Sequence, residues 1–296
     1  MLQLSFISEN LEKISKSMFK RNIDIKSVLE KIIEIDNNRR TTQSSLDNSL
    51  ANSNQLAKEV GELFKNGESK KAGILKEKAS FLKTESKKLS EKLSNVIKEL
   101  NSLLLEVPNI PNELVPSGSK ESDNEEVFNW GSVPELKENA LPHWELASKY
   151  DIIDFELGNK ITGAGFPVYK DKGAKLQRAL INYFLDKNTN AGYKEFQVPI
   201  LVNEDSGTAT GQLPDKEGQM YYIKEDNLYL APTAEVPLTN IFRNNIIKPS
   251  DLPICLTSYT PCFRREAGSY GSHVRGLNRL HQFDKVEIVR IEEPEN

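Results

Sequence analysis

Cysteine is scarce in this chain: Cys255 and Cys262 are the only two among 296 residues. Two thiols supply no disulfide framework and no four-ligand zinc spacing, so neither staples nor a structural zinc is expected. Both fit a reducing compartment, and the cytoplasm is the simplest home. No run approaches the ~20 apolar residues of a membrane span. The stretch Met1 to Lys13 has no apolar h-region and carries Glu9 and Glu12, so it does not read as a signal peptide. Proline is missing from Asp24 to Leu105, and glycine in that stretch is confined to Gly61, Gly67 and Gly73. A segment so poor in helix breakers is free to form long helices.

The hydrophobic content of 38% and charged content of 28% are those of a soluble protein with one sizeable core and a smaller domain. The net charge of −4 is unevenly spread. Residues 1–110 hold 19 Lys+Arg against 15 Asp+Glu, leaving the remainder acidic. A basic front on an acidic body is the asymmetry expected when only the first segment meets a polyanion.

Steps of four and three place Val28, Ile32, Ile35, Arg39, Thr42, Leu46, Ser49, Ser53, Leu56, Val60 and Leu63 on one stripe. Ala72, Leu75, Ala79, Leu82, Ser86, Leu89, Leu93, Val96, Leu100 and Leu103 make a second. Both follow the ~3.5-residue period of a coiled coil. Lys65-Asn66-Gly67-Glu68 between them has the chemistry of a chain reversal. The expectation is an antiparallel helical hairpin within residues 1–106, loosely held where Arg39, Thr42, Ser49 and Ser53 make the seam polar. Residues 70–98 carry nine lysines, among them Lys71, Lys76, Lys78 and Lys83, against three glutamates. These lysines read either as a solvated face or as a phosphate-binding surface.

Residues 107–126, from Val107-Pro108 to Asp123-Asn124, are rich in proline and polar residues and read as a linker. Beyond it, residues 127–296 change period. Lys172–Asn188 predicts an amphipathic helix with Leu176, Leu180, Tyr183 and Phe184 on one side. Tyr193–Val202, Met220–Lys224, Asn227–Ala231, Ile254–Glu266 and Arg279–Ile291 predict strands. Strands joined by hairpins and long loops indicate an α+β domain rich in antiparallel sheet. Pro199 inside the first of them points to an edge or interface.

Strand alternation puts Arg264 and Glu266 on one face, and Arg279, His281, Phe283, Lys285 and Glu287 on one face of the next strand. Ala267 to Asn278 between them, with Gly268, Gly271 and Gly276, read as a loop. A sheet face bearing guanidiniums, carboxylates and an aromatic ring is costly as a core. It suits a nucleotide and a small zwitterion: arginine for phosphate oxygens, a ring to stack on a base, carboxylates for an ammonium and a hydroxyl. His281 is open to two readings, a catalytic group or a packed, hydrogen-bonded one, while His143 and His273 read as structural and loop residues. The two cysteines read as core thiols.

Phe263-Arg264-Arg265-Glu266-Ala267-Gly268-Ser269-Tyr270-Gly271, followed by Arg275-Gly276-Leu277 and Arg279-Leu280-His281-Gln282-Phe283-Asp284-Lys285-Val286-Glu287, resembles motif 2 of class II seryl-tRNA synthetases. Leu230 to Pro237, containing Thr233-Ala234-Glu235, resembles that family's serine-binding TxE loop. Gly173 to Val202 is similar to motif 1, and Thr210-Gly211-Gln212-Leu213-Pro214 is another family-like string. The hairpin matches the family's tRNA-binding arm. Motif 2 alone is common to class II; its combination with the TxE loop and the arm is specific. One departure is Ser272, where the family's loop has a basic residue.

The resemblance implies an ATP-dependent serine–tRNA ligase that uses Mg²⁺, takes L-serine, ATP and tRNA(Ser), and works as a homodimer through motif 1. It implies that Arg264 holds the α-phosphate and acts with Glu266 in catalysis. Arg264, Arg265, Glu266, Arg279, Leu280 and Phe283 would form the ATP site, with Phe283 stacked on adenine. Thr233, Ala234, Glu235 and Glu287 would form the serine site. Lys71, Lys76, Lys78, Lys83 and Arg275 would meet tRNA, and no residue is assigned to a protein-bound metal. The family's motif 3 is not found before Asn296, so the resemblance implies an incomplete catalytic domain. It leaves a tRNA-binding chain without catalysis as the alternative.

Overall fold

The computed structural model describes residues 1–267 and 275–296. Its residues divide into two compact units, Met1–Ser132 and Val133–Asn296.

In the first unit the proline-free stretch forms two long helices, α3 (Lys26–Lys65) and α4 (Ser69–Glu106). At ~1.5 Å per residue they are about 60 and 57 Å long. They reverse at Gly67, whose φ of +78° is left-handed, with Glu68 N–H donating to Leu63 O and Gly67 N–H to Phe64 O. This glycine-terminated helix end is what the Asn66-Gly67 pair encodes.

The second apolar stripe is buried or half-buried at every expected position. The first is displaced at its start: Leu29, not Val28, is fully buried. Arg39 is half-buried on the first stripe. It joins Arg40 in clamping the buried Asp36, at 2.7 Å each. The polar centre closes through Thr42 and a buried Ser49–Ser86 hydroxyl pair at 2.9 Å.

Two short helices before the hairpin, α1 (Leu4–Glu9) and α2 (Leu11–Met18), were not separated by period alone. Their Ile7, Ile14 and Met18 are fully buried with Leu29, Ile32 and Leu100, so the hairpin base is a small helical bundle. The proline-rich segment is fastened to that base. Val107 is buried in the same core, Lys20 Nζ donates to the carbonyls of Glu113 and Val115 at 2.7 and 3.0 Å, and Asn22 Nδ2 donates to Gly118 O. The first half of the expected linker is therefore a strap, because its carbonyls find donors that a free linker would leave to water.

The second unit runs α5 (His143–Lys149), β1 (Ile153–Asp154), α6 (Phe155–Ile161), β2 (Val168–Tyr169), α7 (Lys172–Asn190), β3 (Lys194–Glu195) and β4 (Leu201–Val202). It continues with α8 (Glu204–Ala209), β5 (Tyr222–Ile223), β6 (Leu228–Leu230), α9 (Glu235–Asn240), β7 (Ile254–Phe263) and β8 (Gln282–Ile291). β7 and β8 pair antiparallel over their full length, from Ile254↔Ile291 to Phe263↔Gln282, and β3 joins β7 in parallel. A second sheet has the order β4-β6-β5, and β1 pairs with β2.

The expected strand over Tyr193–Val202 is split into β3 and β4. Pro199 lies exposed between them, where its missing N–H costs no ladder bond. Helix α7 faces the sheet with polar groups: Asn188 Nδ2 donates to Thr257 Oγ1, and Gln177 donates to Asp284. Its apolar side is outward, with Leu176, Leu180, Tyr183 and Phe184 exposed by 55%, 45%, 55% and 47%. Gly173 lets α7 start against the preceding chain, since a Cβ there would lie 2.1 Å from Ile152 O.

Candidate active site

Strand β8 has alternate side chains on opposite faces, so Phe283, Lys285 and Glu287 share one and Asp284 the other. The β-ladder pins that register: Cys262 is opposite Phe283, Thr260 opposite Lys285, and Ser258 opposite Glu287. Those three β7 residues are small and buried. Asp284 turns to accept from Tyr259 Oη at 2.6 Å as well as from Gln177. Burial, reinforced by that carboxylate, pushes the Tyr259 phenol well above its usual range.

Thr233, buried just ahead of α9, brings the TxE loop to Glu287. Its hydroxyl donates to Glu287 Oε2 at 2.7 Å and accepts from Glu235 N–H at 3.2 Å and from Lys285 Nζ at 3.2 Å. Lys285 Nζ also pairs with Glu287 Oε2 at 2.6 Å. Burial alone would raise the Glu287 carboxyl. The Lys285 ammonium and the Thr233 hydroxyl outweigh it and hold that carboxyl below its ordinary value, so it is ionised at neutral pH. Glu235 itself is exposed at the cavity edge.

A cavity of about 390 Å³ opens over this cluster, lined among others by Thr233, Glu235, Arg264, Glu266, Arg279 and Lys285. Arg264 crosses it, its guanidinium carbon 5.1 Å from the Phe283 ring centre and its Nε 3.4 Å from Pro232 O. Arg279 Nη1 pairs with Glu266 Oε2 at 2.8 Å.

Strand alternation does not bring the last pair together, contrary to the expectation. β7 ends at Phe263, Glu266 has a left-handed φ of +48°, and Arg279 precedes β8. The turn still closes the ribbon, with Arg264 N–H donating to His281 O at 2.9 Å. A positive φ at a non-glycine residue is strained, and the Arg279 ion pair helps retain it.

Other expected site residues lie elsewhere. Arg265 is exposed, with its guanidinium 5.6 Å from the Tyr221 ring, and does not line the cavity. Ala234 is fully buried against Leu238 and Leu256, so its methyl belongs to the core. Leu280 is buried outside the cavity lining. His281 stacks on Phe166 at 5.2 Å and bonds through Nδ1 to Tyr221 Oη at 2.8 Å, the geometry of a packed histidine. Cys262 is fully buried, and burial pushes its thiol up; Cys255 is half-buried. Lys71, Lys76, Lys78 and Lys83 are exposed along α4. Arg275 lies over the Trp144 ring at 5.2 Å. Gly268, Ser269, Tyr270, Gly271, Ser272 and His273 fall outside the described residues.

Gln212, Glu217, Gln219 and Met220 line the cavity without having been assigned to it. Asp215 builds that wall, its two oxygens accepting from Gln219 N–H at 2.8 Å and Met220 N–H at 2.7 Å. Only the Thr210–Pro214 string hinted at this wall. Lys285 was on the aligned face with no role given, although its two-residue spacing from Glu287 was a readable signal.

Residues 1–111 match the seryl-tRNA synthetase N-terminal domain, and residues 221–296 match the tRNA synthetase class II core domain (G, H, P, S and T). All of the chain aligns with the serine–tRNA ligase of Salinibacter ruber at 43% identity, over 69% of that protein. It aligns with that of Mesoplasma florum at 42% identity, over 70%. Among solved structures, seryl-tRNA synthetase from Pyrococcus horikoshii complexed with ATP superposes with a TM-score of 0.81 at 28% identity, all of this chain lying on 70% of that one. The cytoplasmic serine–tRNA ligase of Naegleria fowleri in complex with AMP shares the fold, with a TM-score of 0.77 at 24% identity over 72% of its length. The hairpin and the alignment of this whole chain with serine–tRNA ligases at 42–43% identity agree: the chain belongs to the seryl-tRNA synthetase family of class II aminoacyl-tRNA ligases.

Proposed function

We propose that this protein activates L-serine with MgATP to seryl-adenylate and transfers the seryl group to tRNA(Ser) in the cytoplasm. The observation that carries the reading is the Thr233–Glu287–Lys285 cluster beneath a cavity walled by Arg264, Glu266 and Arg279. An ionised carboxylate and a buried hydroxyl suit a small ligand with an ammonium and a hydroxyl of its own. Two arginines over the same space suit a polyphosphate. The serine carboxylate attacks the α-phosphorus, the bond to the bridging oxygen breaks, and pyrophosphate leaves. A terminal ribose hydroxyl of the tRNA then attacks the acyl carbon, and AMP leaves.

Arg264, beside Phe283, is suited to neutralise charge on the α-phosphate, with the ring available to adenine. Glu266 and Arg279 would separate to admit the nucleotide. Thr233, Glu235 and Glu287 would hold serine, with Lys285 keeping Glu287 ionised. No step needs a protein nucleophile: alignment and charge neutralisation carry the rate. Mg²⁺ would enter with the ATP phosphates. Among the described residues no cluster of three or more histidine, cysteine or carboxylate ligands offers a site of its own.

Residues 1–106 are proposed as the tRNA arm and 127–296 as catalytic, joined through 107–126. The exposed lysines of α4, including Lys71, Lys76, Lys78 and Lys83, and Arg275 of the catalytic part are suited to RNA phosphates. The outward Leu176, Leu180, Tyr183 and Phe184 favour a homodimer through α7.

Serine-dependent pyrophosphate–ATP exchange tests the first step. Deleting residues 27–104 is expected to abolish tRNA charging while exchange persists. Exchange absent from the intact chain, with tRNA still bound, would instead mark a tRNA-binding protein without catalysis.

A further inference from the structure

Arg279 belongs to no regular element. β7 ends at Phe263 and β8 begins at Gln282, so no strand ladder fixes the backbone that carries this guanidinium. Two hydrogen bonds from distant segments hold it. His143 Nε2, at the start of α5, accepts from Leu277 N–H at 2.8 Å. Gly165 O accepts from His281 N–H at 2.9 Å. Arg279 stands midway between the two tethered residues.

The fit at both tethers is close. A Cβ on Gly276, whose φ is +75°, would lie 2.2 Å from His143 Nε2. One on Gly165, whose φ is +82°, would lie 2.4 Å from the His281 ring. Glycine alone lets either backbone approach its histidine so nearly in a left-handed conformation.

The two tethers differ in what they ask of the sequence. The one at His281 runs through main-chain atoms, which any residue but proline supplies. The one at Leu277 needs a side-chain acceptor. An imidazole nitrogen that accepts is the one without a hydrogen, so the ring proton of neutral His143 is on Nδ1. The ring meets Trp144 edge-on, with centroids 5.0 Å apart, and the Arg275 guanidinium lies 5.2 Å from that indole. Helix α5 is itself fastened at its end, where Asp151 N–H donates to Ser148 O and Ile152 N–H to Ala147 O, both at 3.1 Å. The imidazole is therefore a fixed post. A guanidinium that must exchange Glu266 for a phosphate benefits from a fixed backbone beneath it, because ordering that backbone on binding would be subtracted from affinity.

We propose that His143 is a positioning residue for nucleotide binding: by accepting from Leu277 N–H it fixes the chain from which Arg279 reaches the phosphates of ATP. His143 does not line the cavity that Arg279 shares with Arg264, so it acts through Arg279 and not by touching the nucleotide. This rests on the ATP half of the reading above.

Calorimetric titration of the full chain with MgATP provides the test, since binding needs neither serine nor turnover. Three substitutions separate the hydrogen bond from the packing of the ring. His143→Gln places an amide oxygen where Nε2 was and removes the ring; its affinity should stay within about twofold of the unsubstituted chain. His143→Phe keeps a ring without an acceptor, and His143→Ala removes both. Each of these two should weaken ATP about five- to tenfold, as the loss of one hydrogen bond implies. Affinity retained in His143→Phe or His143→Ala would overturn the proposal. So would a His143→Gln chain as weak as His143→Ala, or an unsubstituted chain that takes up no ATP. Serine-dependent exchange by the unsubstituted chain reports separately on the adenylate reading: its absence would sink that reading, while the calorimetric comparison still decides the role of His143.

Discussion

Replacing Glu287 with alanine should damage serine use and largely spare ATP use. Glu287 Oε2 receives two donors, the Thr233 hydroxyl at 2.7 Å and the Lys285 ammonium at 2.6 Å, in a half-buried setting. Removing it leaves the hydroxyl and the ammonium facing each other without the charge that orders them. Hydrogen bonds to charged groups contribute about 1.5–3 kcal/mol, and an unpaired polar group beneath a bound ligand costs a similar amount. A loss of about 2 kcal/mol corresponds to a roughly thirtyfold rise in the serine requirement. The Arg264–Phe283 and Arg279–Glu266 contacts do not involve Glu287, so the ATP requirement should move by less than about threefold. Pyrophosphate–ATP exchange, run with each substrate varied in turn, gives both values. Equal rises in the two requirements would refute the assignment of this cluster to serine.

The same carboxylate makes a pH prediction. Its folded-state pKa is lowered, so its contribution to stability is fully present above the unfolded value of about 4.3 and is lost as pH falls through the folded value. The gap in melting temperature between the protein and Glu287→Gln should therefore be widest near neutral pH and close in acid. A gap that widened on acidification would mean the carboxyl is raised rather than lowered.

Two further outcomes test the frame around the site. Gly173→Ala should lower the melting temperature by several degrees, because its Cβ would meet Ile152 O at 2.1 Å and forced overpacking costs about 1–3 kcal/mol; an unchanged melting curve would show that the start of α7 can yield. Leu180→Glu with Phe184→Glu should shift the sedimentation coefficient from dimer to monomer, since both side chains are about half exposed; a dimer that survives both charges would put the subunit contact elsewhere.

The hairpin was legible because a coiled coil repeats one local rule. The α4 stripe could be read position by position, and the Asn66-Gly67 turn followed from the left-handed backbone it requires. Period failed where packing from outside the repeat took over. Leu29 displaced Val28 because α1 and α2 cover that side. In the site, β8 was legible because strand alternation holds through Phe283, Lys285 and Glu287. It misled at Glu266 and Arg279, where the backbone leaves the strand and an ion pair across the turn does the joining.

The sequence by itself determined the two long helices, the β7–β8 ribbon and the residue types that face its cavity, because each follows from short-range periodicity and side-chain chemistry. Tertiary structure alone decided that Thr233 reaches Glu287 across 54 residues, and that Ala234 turns into the core against Leu256. Those are contacts between segments distant along the chain. Their partners are chosen by which surfaces can be buried together with every polar group satisfied, and no local pattern carries that information.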